Sequence, residues 1–263
     1  MLFSSIAVAA PASTDKASAP ADNEQIAQLL DQLSVRALLE QAPAVLIAAT
    51  EAEAQFRQTS LQSANWRREL EAQFKPQSLQ QEVARYLRDR YRADTFRQAQ
   101  QRLQEPLAKR VRYFDFAMTQ SGAEKNLREA LAAHKAEHSD DATDESGSAS
   151  RRALLGEIDT ATASSLLTAT LQSAIAARVK QAAGSGVIDA AALQAEIAER
   201  QRYLAPLTID YLFYDYRYLR DDELRDYRDL MRDETVQWLL DVCRQALLAA
   251  IVGELTPPPN PPR

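Results

Sequence analysis

Apolar residues recur every three or four positions along most of this 263-residue chain, which is the period of a helix with one buried face. Glycine occurs only 6 times, and the segments between the breaks consist mainly of strong helix formers. We therefore predict an all-α protein, a multi-helix bundle. The pattern predicts helices at about residues 24–40, 43–58, 61–73, 78–92, 94–104, 106–119, 122–137, 150–159, 161–183, 190–217, 221–233 and 235–252.

Local signals support several of these boundaries. Ser78 and Ser121 each stand three residues before a Gln or Glu, which is the spacing of a capping box at a helix start. Asp189 follows a Gly-Ser-Gly break and is a suitable first cap for the helix predicted over 190–217. Pro106 suits a first turn, whereas Pro206 is expected to mark a boundary or a kink.

One polar segment divides the chain into two helical halves. It is acidic, contains glycine, and has too few apolar residues to offset the entropy of ordering, so we predict a flexible surface loop. The resulting division is a signal-peptide remnant and linker (1–22), an N-terminal helical half (23–136), the acidic flexible loop (137–150), a C-terminal helical half (151–255) and a Pro-rich tail (256–263).

The two halves resemble each other in pattern. Tyr86, Phe96 and Leu103 match Tyr214, Leu224 and Met231 at one constant spacing, and Leu-rich segments near residues 29 and 154 match at a similar one. We interpret the halves as pseudo-repeats of one helical unit. The alternative is that any two Leu-rich amphipathic segments align this well.

The N-terminal residues indicate export. Leu2 to Ala10 is apolar, and Ala7-Val8-Ala9 has the small-x-small spacing that signal peptidase accepts, although a basic region before it is missing. We therefore expect a periplasmic or secreted protein. No later apolar run reaches about 18 residues, so we predict no transmembrane segment in the mature chain. The net charge of -6 makes nucleic acid and anionic lipid poor partners.

Cys243 is the single cysteine, so the chain has no internal disulfide. It stands among Leu239, Leu240 and Leu247 on an apolar helix face, where we expect a small buried hydrophobic residue. The alternatives are a reactive thiol or an intermolecular disulfide in an oxidising compartment.

The sharpest chemical motif is an H-x-x-E-H segment formed by His134, Glu137 and His138, which matches an inverted zinc-protease signature. Histidines at i and i+4 share one helix face and can bind one zinc, with the glutamate as general base. However, the motif runs into the acidic loop, and a catalytic zinc needs a rigid, recessed site. A solvated helix end is the preferred interpretation, with adventitious metal binding or a zinc hydrolase as alternatives, and we predict no cofactor.

An aromatic run precedes residue 220. Phe213 and Tyr216 are predicted to lie away from the core and to line a groove for a ligand or partner, which is the weaker of two interpretations. The stronger one is simple core packing of the run. The stripe predicted to face the core consists of Leu204, Leu207, Tyr211, Tyr214 and Tyr218.

The C-terminal block carries a family resemblance. Residues 216–224 (YRYLRDDEL), with Tyr227, Leu230-Met231 and the closing ALLAA at 246–250, resemble the bacterial exported family of helical proteins called domain of unknown function 2059. Residues 96–110 and 152–162 are similar to further segments of that family. Its capping Ser is replaced by Arg220, so Asp221 is expected to take that role. The resemblance implies an exported helical protein of Gram-negative bacteria and implies no activity.

Taken together, these features predict a non-enzymatic binding or scaffold protein of the bacterial cell envelope. Its partner would be an envelope protein or an apolar ligand. The alternatives are a periplasmic carrier of an apolar ligand and, less favoured, a zinc hydrolase using the H-x-x-E-H segment.

Overall fold

A computed structural model describes residues 23–57, 65–90, 92–118, 129 and 145–253. Within these ranges the chain forms helices and no strand, so the predicted all-α class is confirmed. The predicted signal remnant, the Pro-rich tail and the helix at 122–137 lie outside the described residues, apart from residue 129. The helices are α1 (Asn23–Gln32), α2 (Val35–Leu39), α3 (Ala42–Arg57), α4 (Asn65–Gln73), α5 (Pro76–Asp89), α6 (Ala93–Leu103), α7 (Pro106–Met118), α8 (Glu145–Thr162), α9 (Ser164–Ala182), α10 (Ala190–Asp215), α11 (Asp221–Met231) and α12 (Glu234–Val252).

Side-chain caps and prolines set several helix starts. The Asp189 carboxylate accepts a hydrogen bond from the Ala192 N–H at 2.7 Å, and the Asp233 carboxylate accepts one from the Thr235 N–H at 2.9 Å. α5 begins at Pro76, not at the predicted Ser78 box, because proline lacks the N–H that a first helical turn leaves unpaired. Pro206 stays inside α10, as the helix predicted over 190–217 requires, so of its two expected roles the boundary is wrong and the kink stays a prediction.

Two helix breaks lack the glycine or proline that would have marked them. Ser34, with φ of 56°, separates α1 from α2, and Ala163, with φ of 54°, separates α8 from α9. The single helix predicted over 24–40 is therefore wrong. Asp159 secures the second break, because its carboxylate accepts from the Ser165 N–H at 2.8 Å and from the Ser165 hydroxyl at 2.6 Å.

The start of α8 also corrects the predicted acidic loop. Residues 145–150 were assigned to that loop, but they form the first turns of α8. The helix extends back from the well-packed segment around Leu154 and Leu155, both buried, so propagation adds these polar residues at little cost. The remainder of the predicted loop lies outside the described residues.

α9 and α12 form the centre of the bundle and pack against each other. α9 also contacts α3 and α10, while α12 contacts α5 and α6, so each central helix is covered by elements from both halves of the chain. α12 buries ten side chains, among them Trp238, whose ring meets Phe96 of α6 edge-on at 5.6 Å. The two halves therefore share one core.

α12 also has the length and apolar character of a membrane-spanning helix, and 56% of its apolar window is buried inside the fold. A core helix of a bundle meets the same criteria. Among the described residues, a second candidate needs two segments together, α1 on one side and α2 with α3 on the other, and these are bent by 84° at the break between them. The absence of a transmembrane segment remains a prediction.

Candidate functional site

A half-open cleft of about 770 Å³ lies where the α1–α2 break meets the α8–α9 break. The end of α10 and one face of α11 form its other walls, so both halves of the chain contribute to it. The lining residues are Asp31, Gln32, Leu33, Ser34, Arg36, Ala37, Leu38, Glu40, Gln41, Arg112, Thr162, Ser164, Leu167, Thr168, Leu212, Asp215, Tyr216, Tyr227, Met231 and Leu240.

The two non-glycine residues with a left-handed conformation in the described part of the chain both border this cleft. Ser34 is itself in the lining, and Ala163 stands between the lining residues Thr162 and Ser164. A left-handed conformation costs a non-glycine residue about 1–2 kcal/mol. Such strained residues concentrate at ligand-binding sites, where the surrounding structure holds them in place. Their position here marks the cleft as a candidate site.

Aromatic and aliphatic side chains make one wall of the cleft. Tyr216 is 2% exposed, and its ring meets the Tyr227 ring edge-on with centroids 6.2 Å apart. Arg151 fixes this corner from behind: its guanidinium donates to the carbonyls of Tyr216 and Leu219 at 2.7 and 2.9 Å and forms an ion pair with Asp221. The wall is therefore rigid and apolar.

Asp221 is thus occupied by Arg151 and does not cap α11, contrary to the expectation. Arg220 occupies the cap position, and its N–H donates to the Glu223 carboxylate at 2.9 Å. A capping box consists of two hydrogen bonds, and this one, from the cap N–H to the carboxylate three residues later, does not require a serine at the cap position.

Polar groups line the opposite part of the cleft. The side-chain oxygen of Gln32 is buried and finds no hydrogen-bond donor within the described part of the chain. Nearby, the hydroxyls of Thr162 and Ser164 share a hydrogen bond of 2.7 Å, and Arg36 pairs with Asp31 at 3.5 Å. An unsatisfied buried acceptor is costly unless a ligand or water supplies a donor. Gln32 therefore lines the cleft with a side chain whose oxygen is buried and would have to turn toward the cleft to meet a donor there.

The structure separates the two aromatic residues predicted to share a groove. Tyr216 lines the cleft, whereas Phe213 is half-buried outside it, with the Arg152 guanidinium 5.1 Å from its ring centroid. The assignment of faces on α10 is also wrong, because Tyr216 is buried while Tyr218 is 71% exposed. The end of α10 packs its other face against α8 and the cleft, which the stripe pattern did not indicate.

Two buried titratable groups have shifted pKa values. Burial raises the pKa of Asp159 above its ordinary value, against the opposing effect of the Ser165 hydrogen bonds. Burial also raises the pKa of the Cys243 thiol to about 12. A thiol that is fully buried and protonated is a poor nucleophile, which confirms Cys243 as a core residue.

The metal candidates His134, Glu137 and His138 lie outside the described residues. Within the described ranges, no group of three His, Cys, Asp or Glu side chains is arranged to hold a metal ion. The zinc interpretation of the H-x-x-E-H segment stays a prediction.

Comparison with known proteins gave no match to any family model, curated protein or solved structure.

Proposed function

We propose that this chain is a non-enzymatic binding protein of the bacterial cell envelope and that its cleft holds one amphipathic small molecule. The observation that carries this proposal is the cleft between the two helix breaks, with a volume of about 770 Å³. Sites for small molecules commonly have volumes of about 300–1,000 Å³ and combine apolar walls with a few placed polar groups. This cleft has that size and that mixture.

The two walls indicate how such a ligand would lie. Its apolar part would contact Tyr216, Tyr227 and Met231, which are buried or nearly so and present rings and a flexible thioether. A hydrogen-bond donor on its polar end would satisfy the Gln32 oxygen once that side chain, which lines the cleft, turns toward it. A scaffold that only positions other proteins would not need an open cleft of this size.

The proposed internal duplication explains why the cleft lies between the halves. α6 and α11 are both 11 residues long, and the starts of α6 and α7 recur 128 residues later at Asp221 and Glu234. The packing is reciprocal as well, since α5 and α6 contact α12 while their counterparts α10 and α11 contact α7. Two related units facing each other create matching breaks on both sides of one cleft.

A location in the cell envelope would suit a protein that binds an amphipathic ligand. The N-terminal apolar segment and the resemblance to an exported helical family support export to the periplasm. Proteins in that compartment can carry apolar molecules that water would otherwise aggregate. The ligand-carrier interpretation is therefore favoured over the scaffold interpretation, and the zinc hydrolase remains the least supported alternative.

A cleft-filling substitution tests this proposal. Thr168 lines the cleft, and Thr168→Trp should occupy much of its volume, whereas Thr160 is exposed and outside it. Each hydroxyl donates to the carbonyl four residues earlier at 3.0 Å, so Thr160→Trp is a closely matched control. We expect the wild type to bind the fluorescent probe 1-anilinonaphthalene-8-sulfonate at one site, and Thr168→Trp to weaken that binding about tenfold or more.

Fluorescence titration measures the affinity and stoichiometry, and circular dichroism verifies that each variant is folded. Thr160→Trp should bind the probe as the wild type does. Equal binding by folded Thr168→Trp and Thr160→Trp would contradict the proposal, as would failure of the wild type to bind the probe at a single site.

A further inference from the structure

α10 carries an apolar stripe that the structure leaves exposed. At about 100° per residue, the members within α10 (Tyr203, Leu207, Tyr211 and Tyr214) fall within an arc of about 80° on one side of the helix, and Tyr218 follows three residues after its end. Tyr203 is 74% exposed, Tyr218 71%, Leu207 46% and Tyr211 40%, and Tyr214 is half-buried among them. Single exposed apolar residues are ordinary, whereas a continuous aromatic stripe marks an interaction surface. We call Tyr203, Leu207, Tyr211, Tyr214 and Tyr218 the tyrosine stripe.

The tyrosine stripe continues a face that is covered earlier in the same helix. Leu193 and Ile197 are buried, and Arg200 donates to the Ser173 hydroxyl of α9 at 3.1 Å. From Tyr203 onward this side of α10 is no longer covered to the same extent, although the helix itself continues through Pro206. The exposed stripe therefore has the apolar residues of a helix face that packs against another element.

Opposite charges stand at the two ends of the tyrosine stripe. Glu199 stands before the stripe within α10, and Arg217 stands 18 residues later, two residues beyond the end of α10. Neither has an ion-pair partner within the described ranges, and the Arg217 guanidinium instead rests 4.0 Å from the Tyr214 ring centroid and 4.4 Å from that of Tyr218. An antiparallel copy of the same helix would bring each Glu199 level with the Arg217 of its partner.

We propose that two copies of this chain pair through the tyrosine stripe, with antiparallel α10 helices related by a two-fold axis at the level of Thr208. This arrangement forms two equivalent ion pairs across the interface, each between Glu199 of one copy and Arg217 of the other. The same surface of both copies is used, as in the isologous contact of most homodimers. The pairing leaves the cleft open, since Leu212 and Tyr216 line the cleft from another side of α10.

The exposed area suits a modest dimer interface. Large aromatic side chains present about 150–250 Å² each, so the exposed fractions of the stripe amount to roughly 400 Å² per copy. Two copies would bury roughly 800 Å² from the stripe alone, and the flanking side chains, including Glu199 and Arg217, bring the total close to the roughly 1,000 Å² of a specific interface. We therefore expect a dimer that dissociates in the micromolar range.

A charge-exchange series tests the antiparallel arrangement in the full chain. Sedimentation equilibrium gives the dimer dissociation constant of the wild type, Glu199→Arg, Arg217→Glu and the variant carrying both changes. Each single change replaces two attractions by two repulsions and should raise the dissociation constant about tenfold. The combined variant restores opposite charges and should return to within about threefold of the wild type.

Arg225→Glu, at an exposed position of α11, is the control for charge reversal and should leave the dissociation constant unchanged. A wild type that stays monomeric up to about 100 μM would overturn the proposal and leave the stripe to a different protein partner. A dimer whose dissociation constant is the same in all four charge variants would overturn it too. The measurement does not depend on the cleft, so it succeeds or fails separately from the proposed function.

Discussion

The Arg151 guanidinium holds the Tyr216 corner of the cleft through three interactions. It donates to the main-chain carbonyls of Tyr216 and Leu219 and pairs with Asp221. Arg151→Ala leaves two largely buried carbonyls without that donor, so we expect a loss of about 2–4 kcal/mol in the free energy of unfolding, measured by urea denaturation.

The matched control is Arg225→Ala, since the Arg225 side chain is exposed and has no hydrogen bond or ion pair among the described residues. Its unfolding free energy should stay within about 0.5 kcal/mol of the wild type. If both alanine variants lose the same stability, Arg151 does not fix the corner as described.

Asp159 gives a prediction about pH. Burial raises its pKa in the folded state above the ordinary value of 3.8, so the folded protein retains this proton over a pH range where the unfolded chain has released it. The stabilisation from the bound proton is complete below 3.8 and is lost as pH rises through the raised pKa. Asp159→Asn has no such proton and keeps an acceptor for Ser165.

The stability of Asp159→Asn relative to the wild type should therefore increase between about pH 4 and pH 7, measured by urea denaturation at both values. Ser165→Ala is a useful comparison, because it removes one hydrogen bond and leaves the titrating carboxyl in place. A relative stability that is constant or that falls with pH would show that burial does not dominate at Asp159.

Individual residues were predictable only where local sequence determines their surroundings. Cys243 was expected in the core because apolar residues surround it along the helix, and it is fully buried. Tyr216 was expected in a groove and does line the cleft, although the side of α10 assigned to it was wrong. Gln32 could not be recognised, because its unpaired oxygen depends on residues distant in sequence.

Whole helices were predicted best where proline or aspartate marks their ends. α7 begins at Pro106 and α10 begins after Asp189, both as expected. The breaks at Ser34 and Ala163 were missed or misplaced, because neither residue favours a left-handed conformation and tertiary packing imposes it. Helical periodicity assigned Leu204, Leu207, Tyr211, Tyr214 and Tyr218 to the core, and this was wrong, because Leu207, Tyr211 and Tyr218 are exposed.

The strain at the α8–α9 break can be measured with one substitution. Ala163→Gly removes the side chain from a left-handed residue, so we expect an increase of about 1 kcal/mol in unfolding free energy. The same change at Ala153, an exposed right-handed position inside α8, should instead lower it by about 1 kcal/mol. Thermal denaturation of both variants measures the difference, and equal losses in the two would show that Ala163 carries no strain.

At the scale of the whole molecule, the composition predicted the all-α class, while the arrangement of the helices required the structure. The spacing of 128 residues between Tyr86 and Tyr214 anticipated the matching bounds of α6 and α11. It could not indicate that α5 and α6 pack onto α12 or that α10 and α11 contact α7. The cleft is lined by residues that are distant in sequence, so no local motif indicated it.

The most direct measurement of the central proposal is a native mass spectrum of the full chain recovered from the periplasm of expressing cells and then incubated with 1-anilinonaphthalene-8-sulfonate. The account predicts one small molecule, either co-purified or the added probe, on the wild type and on Thr160→Trp, and none on Thr168→Trp. A bare wild-type chain, or the same adduct on Thr168→Trp, would contradict a ligand-binding cleft between the two helix breaks.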